Sequence, residues 1–280
     1  MIQDIAPHCY HNEYKPVPPN KKSIVLVYEN GKILLDREKA PDKAKFPTFE
    51  ELEGKISDLY NNYVYLFSID EFTFYLIPEL DVSLLSEYDF FETRILRTAL
   101  PQYMSFAGIT GYQLYLWYKS HQFCGCCGGK MKHDIKERMM YCPICNRQEF
   151  PVIMPAVIVA ITNGDKIILS KYEGRTYKNY ALIAGYAEIG ETIEETVHRE
   201  VMEEVGLKVK NLRYYKSQPW SFSGTLLFGF FCEVDGEMDI TVDREELSMA
   251  EWFERDDIPD RSGDISLTSE MMMAFKNRLF

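Results

Sequence analysis

The sequence predicts a multidomain α+β protein. An N-terminal α+β domain is expected over residues 1–118, a metal-binding ribbon over 119–150 and a C-terminal α/β domain over 151–280. Three observations predict this. The chain has 280 residues, enough for more than one core. Two Cys-x2-Cys pairs, Cys124/Cys127 and Cys142/Cys145, stand between two stretches of strand-like pattern. A helix-patterned segment rich in carboxylates follows only in the second stretch. The apolar share of 46%, with 14% aromatic residues, can fill such cores.

In chain order, Ser23–Tyr28 and Lys32–Asp36 read as strands joined at Glu29-Asn30-Gly31, a hairpin signal. Tyr63–Phe67 and Phe72–Ile77 read as two more strands, and residues 102–119 as a helix that runs into the first cysteine pair. After the cysteines, Met154–Tyr172 reads as a hairpin turning at Asn163-Gly164. Tyr180–Ala184 is a strand that delivers the carboxylate segment, Leu226–Glu233 a buried strand, and Thr268–Leu279 a terminal helix. The net charge of −12 argues against a broad nucleic-acid-binding surface. No apolar run approaches membrane-spanning length, so no membrane partner is expected.

The cysteine pairs form Cys-x2-Cys-x14-Cys-x2-Cys, a gap a little under the usual range for a four-cysteine zinc ribbon, and two knuckles of this kind can hold one tetrahedral Zn²⁺ through four thiolates. Gly125, Gly128, Gly129 and Pro143 supply the turns. Cys126 falls inside the first knuckle and is left spare by the regular spacing of Cys124 with Cys127. A disulfide pair or buried free thiols are the alternatives. The start, Met1-Ile-Gln-Asp-Ile, lacks the basic segment and apolar run of a signal peptide, so a cytoplasmic location is expected, where disulfides are uncommon. A closed four-thiolate site points to structural zinc. Cys9 and Cys232 are isolated.

Residues 185–207 carry the chemistry. Glu200, Glu203 and Glu204 stand at i, i+3 and i+4, on one face of a helix. Their mutual repulsion opposes the helix, and oxygen-only ligands suit a hard cation such as Mg²⁺ or Mn²⁺. A solvated acidic face is the usual meaning of a charge run, but here glycines and an arginine accompany it. Gly185 and Gly190 bracket a loop, Gly206 stands where a left-handed cap would end the helix, and Val197, Val201 and Val205 mark its apolar face. Arg199 is expected to pair with Glu191 through its planar fork.

This stretch resembles the Nudix box, Gly-x5-Glu-x7-Arg-Glu-U-x-Glu-Glu-x-Gly-U, with U aliphatic. Gly185, Glu191, Arg199, Glu200, Val201, Glu203, Glu204, Gly206 and Leu207 fill its fixed positions. The resemblance implies an α/β/α sandwich and metal-dependent hydrolysis of a nucleoside diphosphate linked to another group. It makes Glu200 and Glu204 metal ligands, Glu203 a further ligand or a base that orients water, and the Ala184 carbonyl part of the metal shell.

Ser217-Gln-Pro-Trp-Ser-Phe-Ser-Gly-Thr225 is similar to the array Ser-Gln-Pro-Trp-Pro-Phe-Pro-x-Ser of the NADH pyrophosphatase branch, which also has a zinc ribbon. Ser217, Gln218, Pro219, Trp220 and Phe222 match. Ser221 and Ser223 replace prolines, softening the loop, Gly224 follows, and Thr225 replaces the closing serine. Trp220 and Phe222 suit stacking on a flat base, and Gln218 can bond a ring edge or an amide; ordinary packing is the alternative for both rings. The resemblance further offers Glu246 as a downstream ligand, with Glu245 as its rival, and Arg94 and Glu137 as substrate contacts; surface ion pairs explain these nearly as well. Phe150 stands where the branch often has tyrosine.

The implied activity is hydrolysis of NADH or NAD⁺ to AMP and nicotinamide mononucleotide. Alternatives are ADP-ribose, removal of the NAD cap from RNA, or a non-catalytic nucleotide sensor. A homodimer is implied by the resemblance alone.

Overall fold

A computed structural model describes residues 1–174, 179–261 and 263–280. They fall into two compact units: residues 2–152 with 221–223, and residues 153–220 with 224–280 and Met1.

In the first unit the elements are β1 (Tyr10–His11), β2 (Ile24–Leu26), β3 (Tyr28–Glu29), β4 (Lys32–Asp36), α1 (Phe49–Leu52), β5 (Val64–Ile69), β6 (Phe72–Leu76), β7 (Tyr88–Glu92), α2 (Gln102–Ser120), β8 (Lys132–His133), β9 (Met140–Tyr141) and β10 (Gln148–Glu149). Among the described residues they make sheets ordered β1-β5-β6-β2, β3-β4-β7 and β10-β9-β8. The expected strand over residues 23–28 is divided. Leu26 accepts from Ile77 N and Val27 accepts from Leu34 N, so the chain changes sheets at Val27. The expected hairpin turn is present: Asn30 (φ 48°) and Gly31 (φ 82°) both take the left-handed conformation that matches strand twist. Val25, Leu34, Phe49, Leu52 and Tyr75 form the core of this part.

The second unit contains β11 (Met154–Asn163), β12 (Lys166–Tyr172), β13 (Ile183–Tyr186), α3 (Ile193–Val205), β14 (Val209–Trp220), β15 (Thr225–Val234), β16 (Leu247–Glu254) and α4 (Leu267–Lys276). The sheet order is β14-β15-β11-β12-β16, with β13 also paired to β11; β11 and β15 run parallel. The alternation of β11 serves two cores. Val157, Val159 and Ile161 face Val197, Val201 and Val205 of α3, whereas Ile158 and Ala160 share a cluster with Met271, Met272 and Phe275 of α4. Helices therefore cover both faces of the sheet, an α/β/α sandwich.

Three details differ from expectation. The strand leading to the carboxylate segment begins at Ile183, later than Tyr180, because Ala181 only bridges to Ser170. The segment expected as a loop at 217–220 is the end of β14, paired with β15 through Gln218↔Leu227 and Pro219↔Leu226. Pro219 is tolerated there because β14 is an edge strand. Residues 88–92 and 247–254 are strands that no expectation covered.

Candidate active site and zinc ribbon

The helix α3 starts with a reciprocal cap: Thr192 accepts from Glu195 N, and the Glu195 carboxylate accepts from Thr192 N. It stops at Gly206 in the left-handed conformation (φ 69°). Val197, Val201 and Val205 are fully buried, which fixes the rotation of the helix; Glu200 and Glu204 lie buried on the adjoining edge and Glu203 further round, exposed. The three carboxylates crowd the carbonyl end of α3, where the helix dipole also disfavours negative charge.

Arg199 organises this edge. Its Nε and Nη2 donate to the two oxygens of Glu191 at 2.6 and 2.9 Å, a forked pair. Its Nη1 donates to Glu200 Oε1 at 2.7 Å and Glu203 Oε2 at 2.9 Å, and Nη2 also reaches the Tyr186 carbonyl at 2.8 Å. Glu191 further accepts from Glu188 N and the Thr196 hydroxyl, each at 3.0 Å. The Arg199 guanidinium, then the Glu188 amide, hold the Glu191 carboxyl down to about 2. Burial pushes the Glu200 carboxyl above its ordinary value; Arg199 opposes that shift, while Glu203 and Glu246 add to it.

Glu200 lies against the backbone of β13. A Cβ on Gly185 would fall 1.9 Å from Glu200 Cδ and 2.1 Å from both its oxygens, so only glycine leaves room for the carboxylate beside Ala184. Glu204 is buried, with 2% of its surface exposed, and Glu203 is exposed. The segment 241–247 closes over the end of α3. Thr241 N donates to Val205 O and Asp243 N to Glu204 O, both at 3.0 Å, satisfying carbonyls the helix cannot. Buried Leu247 anchors that segment, and Glu246 just before it contributes its charge to Glu200. Glu245 is exposed, and its own N–H is turned back to Asp243 at 2.9 Å. Glu200, docked on a strand end with the like charges of Glu203 and Glu246 acting on it, supplies oxygen ligands of the kind a hard cation takes, though among the described residues these carboxylates do not converge on one point as the cysteine sulfurs do.

In the ribbon, Cys124 and Cys145 Sγ are 3.5 Å apart, as are Cys127 and Cys142 Sγ. All four sulfurs lie within 4.8 Å of one another, and among the described residues no other group of three or more ligands does so. A Zn–S bond of about 2.3 Å gives tetrahedral S···S edges of roughly 3.8 Å, so the cage has the size of a Zn²⁺ site. Both knuckles use one turn: Gly128 N donates to Cys124 O and Asn146 N to Cys142 O, each at 2.9 Å, with Gly128 (φ 73°) and Asn146 (φ 58°) left-handed. The amides of Cys127, then Cys126, hold the Cys124 thiol down to about 7. Cys126 stays outside the cage and is exposed, as is Cys9, whereas Cys232 is buried.

The array after the box spans a strand end and a turn. Trp220 and Phe222 are half-buried, Pro219 and Ser223 exposed, Ser221 and Thr225 buried, and Gly224 is left-handed (φ 72°). Gln218 is fully buried. Its Nε2 donates to Ile265 O at 2.9 Å and its Oε1 accepts from Leu267 N at 2.7 Å. The amide expected to reach a ligand is committed here to the start of α4. Arg94, Glu137 and Phe150 are exposed on the first unit. Arg97 Cζ lies 5.9 Å from the Phe222 ring centroid. Arg97 and the half-exposed Tyr186 were not singled out by sequence, and neither carries a local signal.

Residues 152–271 match the NUDIX domain and residues 119–150 match the NADH pyrophosphatase zinc ribbon domain. The chain is therefore similar, over residues 119–271, to an NADH pyrophosphatase zinc ribbon followed by a NUDIX domain. The NAD-capped RNA hydrolase NudC of Escherichia coli O9:H4 (strain HS) is 44% identical to this chain over 149 residues. NudC of Salmonella schwarzengrund (strain CVM19633) is 45% identical over 149 residues. Each match covers 53% of this chain and 58% of the relative's length. A NUDIX hydrolase of Nitrosomonas europaea aligns with 56% of this chain and 92% of its own, at 20% identity and a TM-score of 0.49. No helix among the described residues is long and apolar enough to cross a membrane.

Proposed function

We propose that the chain is a divalent-metal-dependent NAD(H) diphosphatase, splitting NADH or NAD⁺ with water into AMP and nicotinamide mononucleotide. The observation that carries this reading is the Glu200 carboxylate, docked on Gly185 and tied through Arg199 to Glu191 and Glu203. The four-cysteine ribbon and the array 217–225 add the dinucleotide branch of the family.

In this reading Glu200, Glu204, Glu203, Glu246 and the Ala184 carbonyl hold Mg²⁺ or Mn²⁺. Glu246 is favoured over Glu245 because its charge acts on Glu200. When bound, the metal would polarise the pyrophosphate and lower the pKa of a coordinated water. Arg199 and Glu191 orient the carboxylates, and Glu203, the most exposed of the three, orients the attacking water. Trp220, Phe222 and Tyr186 offer ring faces to the bases. Pro219, Ser221, Ser223, Gly224 and Thr225 shape the turn, with Arg94, Glu137 and Phe150 as further contacts. Gln218 acts by bracing β14 against α4 rather than by touching the ligand.

The proposed domains are 1–118, 119–150 and 151–280, the last catalytic. Zn²⁺ in the ribbon is structural, a thiolate site suits a reducing compartment such as the cytosol, and the protein is taken to act as a homodimer. The relatives' name favours a second reading, removal of the NAD cap from RNA, which cleaves the same bond.

A product assay with Mg²⁺ or Mn²⁺ tests this. NADH, NAD⁺, ADP-ribose and NAD-capped RNA are compared by kcat/KM. AMP and nicotinamide mononucleotide forming fastest from NADH or NAD⁺ is the expected result. Preference for capped RNA moves the reading to RNA processing, preference for ADP-ribose removes the nicotinamide role of the array, and no turnover overturns the enzyme reading.

A further inference from the structure

The proposed metal edge takes one carboxylate, Glu246, from outside α3, and the turn that carries it is held by Asp243. Three groups of Asp243 take part. Its N–H donates to Glu204 O at 3.0 Å, which ties the turn to the end of α3. Its carbonyl accepts from Leu247 N at 2.9 Å, which closes the turn over residues 244–246. Its Oδ1 accepts from Glu245 N at 2.9 Å, the bond by which an aspartate side chain mimics a backbone turn. On the other side Glu173 N donates to Glu246 O at 2.9 Å, and fully buried Leu247 opens β16. The Glu246 backbone is thus fixed between the helix end and the sheet. Its side chain is exposed, so its direction is set by the turn and not by packing.

Two of the three Asp243 bonds use backbone groups that most residues supply. Only the third depends on the side chain. We propose that Asp243 is a positioning residue: its carboxylate, without touching the metal, sets the turn that aims Glu246 toward Glu200. This rests on the reading of Glu246 as a metal ligand. The role needs a side-chain oxygen two bonds from Cα and no charge, so asparagine can fill it and alanine cannot. Removing a group that orients a metal ligand typically weakens metal binding by about 10–100-fold.

Mn²⁺ binding to the zinc-loaded full chain, followed by electron paramagnetic resonance, tests this with Asp243→Ala, Asp243→Asn and Glu246→Gln. A urea midpoint is taken for each. The backbone bonds survive both Asp243 substitutions, so both variants should fold. Both lose the same charge, and only asparagine keeps an oxygen for the Glu245 N–H. The Mn²⁺ Kd should rise about tenfold in Asp243→Ala and stay within about threefold of the parent in Asp243→Asn. Equally weak binding in the two variants would make charge responsible and overturn the inference. So would unchanged Mn²⁺ affinity in Asp243→Ala, even with a lower urea midpoint, since that is a merely structural role. Glu246→Gln separates the failures. If it weakens Mn²⁺ binding and Asp243→Ala does not, only the positioning role falls. If Glu246→Gln binds Mn²⁺ like the parent, the reading of Glu246 as a ligand falls, and the positioning role with it.

Discussion

Replacing Gly185 with alanine should separate chemistry from stability. Gly185 is not in the left-handed region, so its backbone accepts a side chain. The new Cβ would stand 1.9 Å from Glu200 Cδ, against about 3.4 Å for an ordinary contact, so the carboxylate must retreat by roughly 1.5 Å. The displaced atoms end a flexible side chain, and β13 can stay in place. Loss of the Arg199 Nη1 bond to Glu200, partly offset by a stiffer unfolded chain, leaves a stability cost of about 1–2 kcal/mol. Misplacing a reacting group by about 1 Å can cost on the order of 100-fold, so kcat/KM for NADH should fall by about that factor or more. The assay is turnover under saturating Mg²⁺, beside a urea melt and Mn²⁺ binding followed by electron paramagnetic resonance. Turnover within about threefold of the parent, with the fold intact, would refute the view that Glu200 must sit on Gly185 to work.

Three further outcomes follow from other contacts. Gln218→Ala strips the buried Leu267 N–H and Ile265 carbonyl of their partner, so urea unfolding should lose about 1–3 kcal/mol; a loss under about 0.5 kcal/mol would contradict the bracing role. Glu191 has its folded pKa lowered from 4.5 to about 2, so its contribution is complete above about pH 4.5 and fades as pH falls through 2. The gap in urea midpoint between the parent and Glu191→Gln should therefore shrink from pH 6 to pH 2, and a constant gap would contradict the pairing with Arg199. Metal analysis should find zinc lost in Cys142→Ser and retained in Cys126→Ser, because only Cys142 belongs to the cage; equal zinc in both would remove the four-thiolate assignment.

How much could be read from sequence depended on how local each signal was. The edge of α3 was legible because helical spacing alone puts Glu200, Glu203 and Glu204 together, and because Gly206 and the three valines mark its end and its buried face. The ribbon was legible for the same reason: each knuckle closes within a few residues. The long strand β14 was not. Its period-two pattern is broken by register shifts at Lys210/Arg213 and Tyr214/Ser217, by left-handed Asn211 (φ 54°), and by Pro219 near its end. A segment so interrupted reads as a loop until its partner β15 is known. The division of residues 23–28 between two sheets was equally hidden, since every residue from Ser23 to Tyr28 is buried and the pattern gives no break.

Gln218 shows the consequence for function. Its residue type, its neighbours and its distance from the box all suggested a ligand contact, and none of them could report that residues 265–267 return to meet it. The metal edge is built by one helix and the strand before it, so a short pattern specifies it. The surroundings of Gln218 draw on β14 and the start of α4, which are far apart in sequence. Substitutions such as Ser221 and Ser223 for proline alter a turn held by buried Ser221 and Thr225 and by Gly224, so their effect on substrate choice is set by that packing. The carboxylate edge is therefore encoded locally in this chain, and the packing of Gln218 is encoded in how distant segments meet.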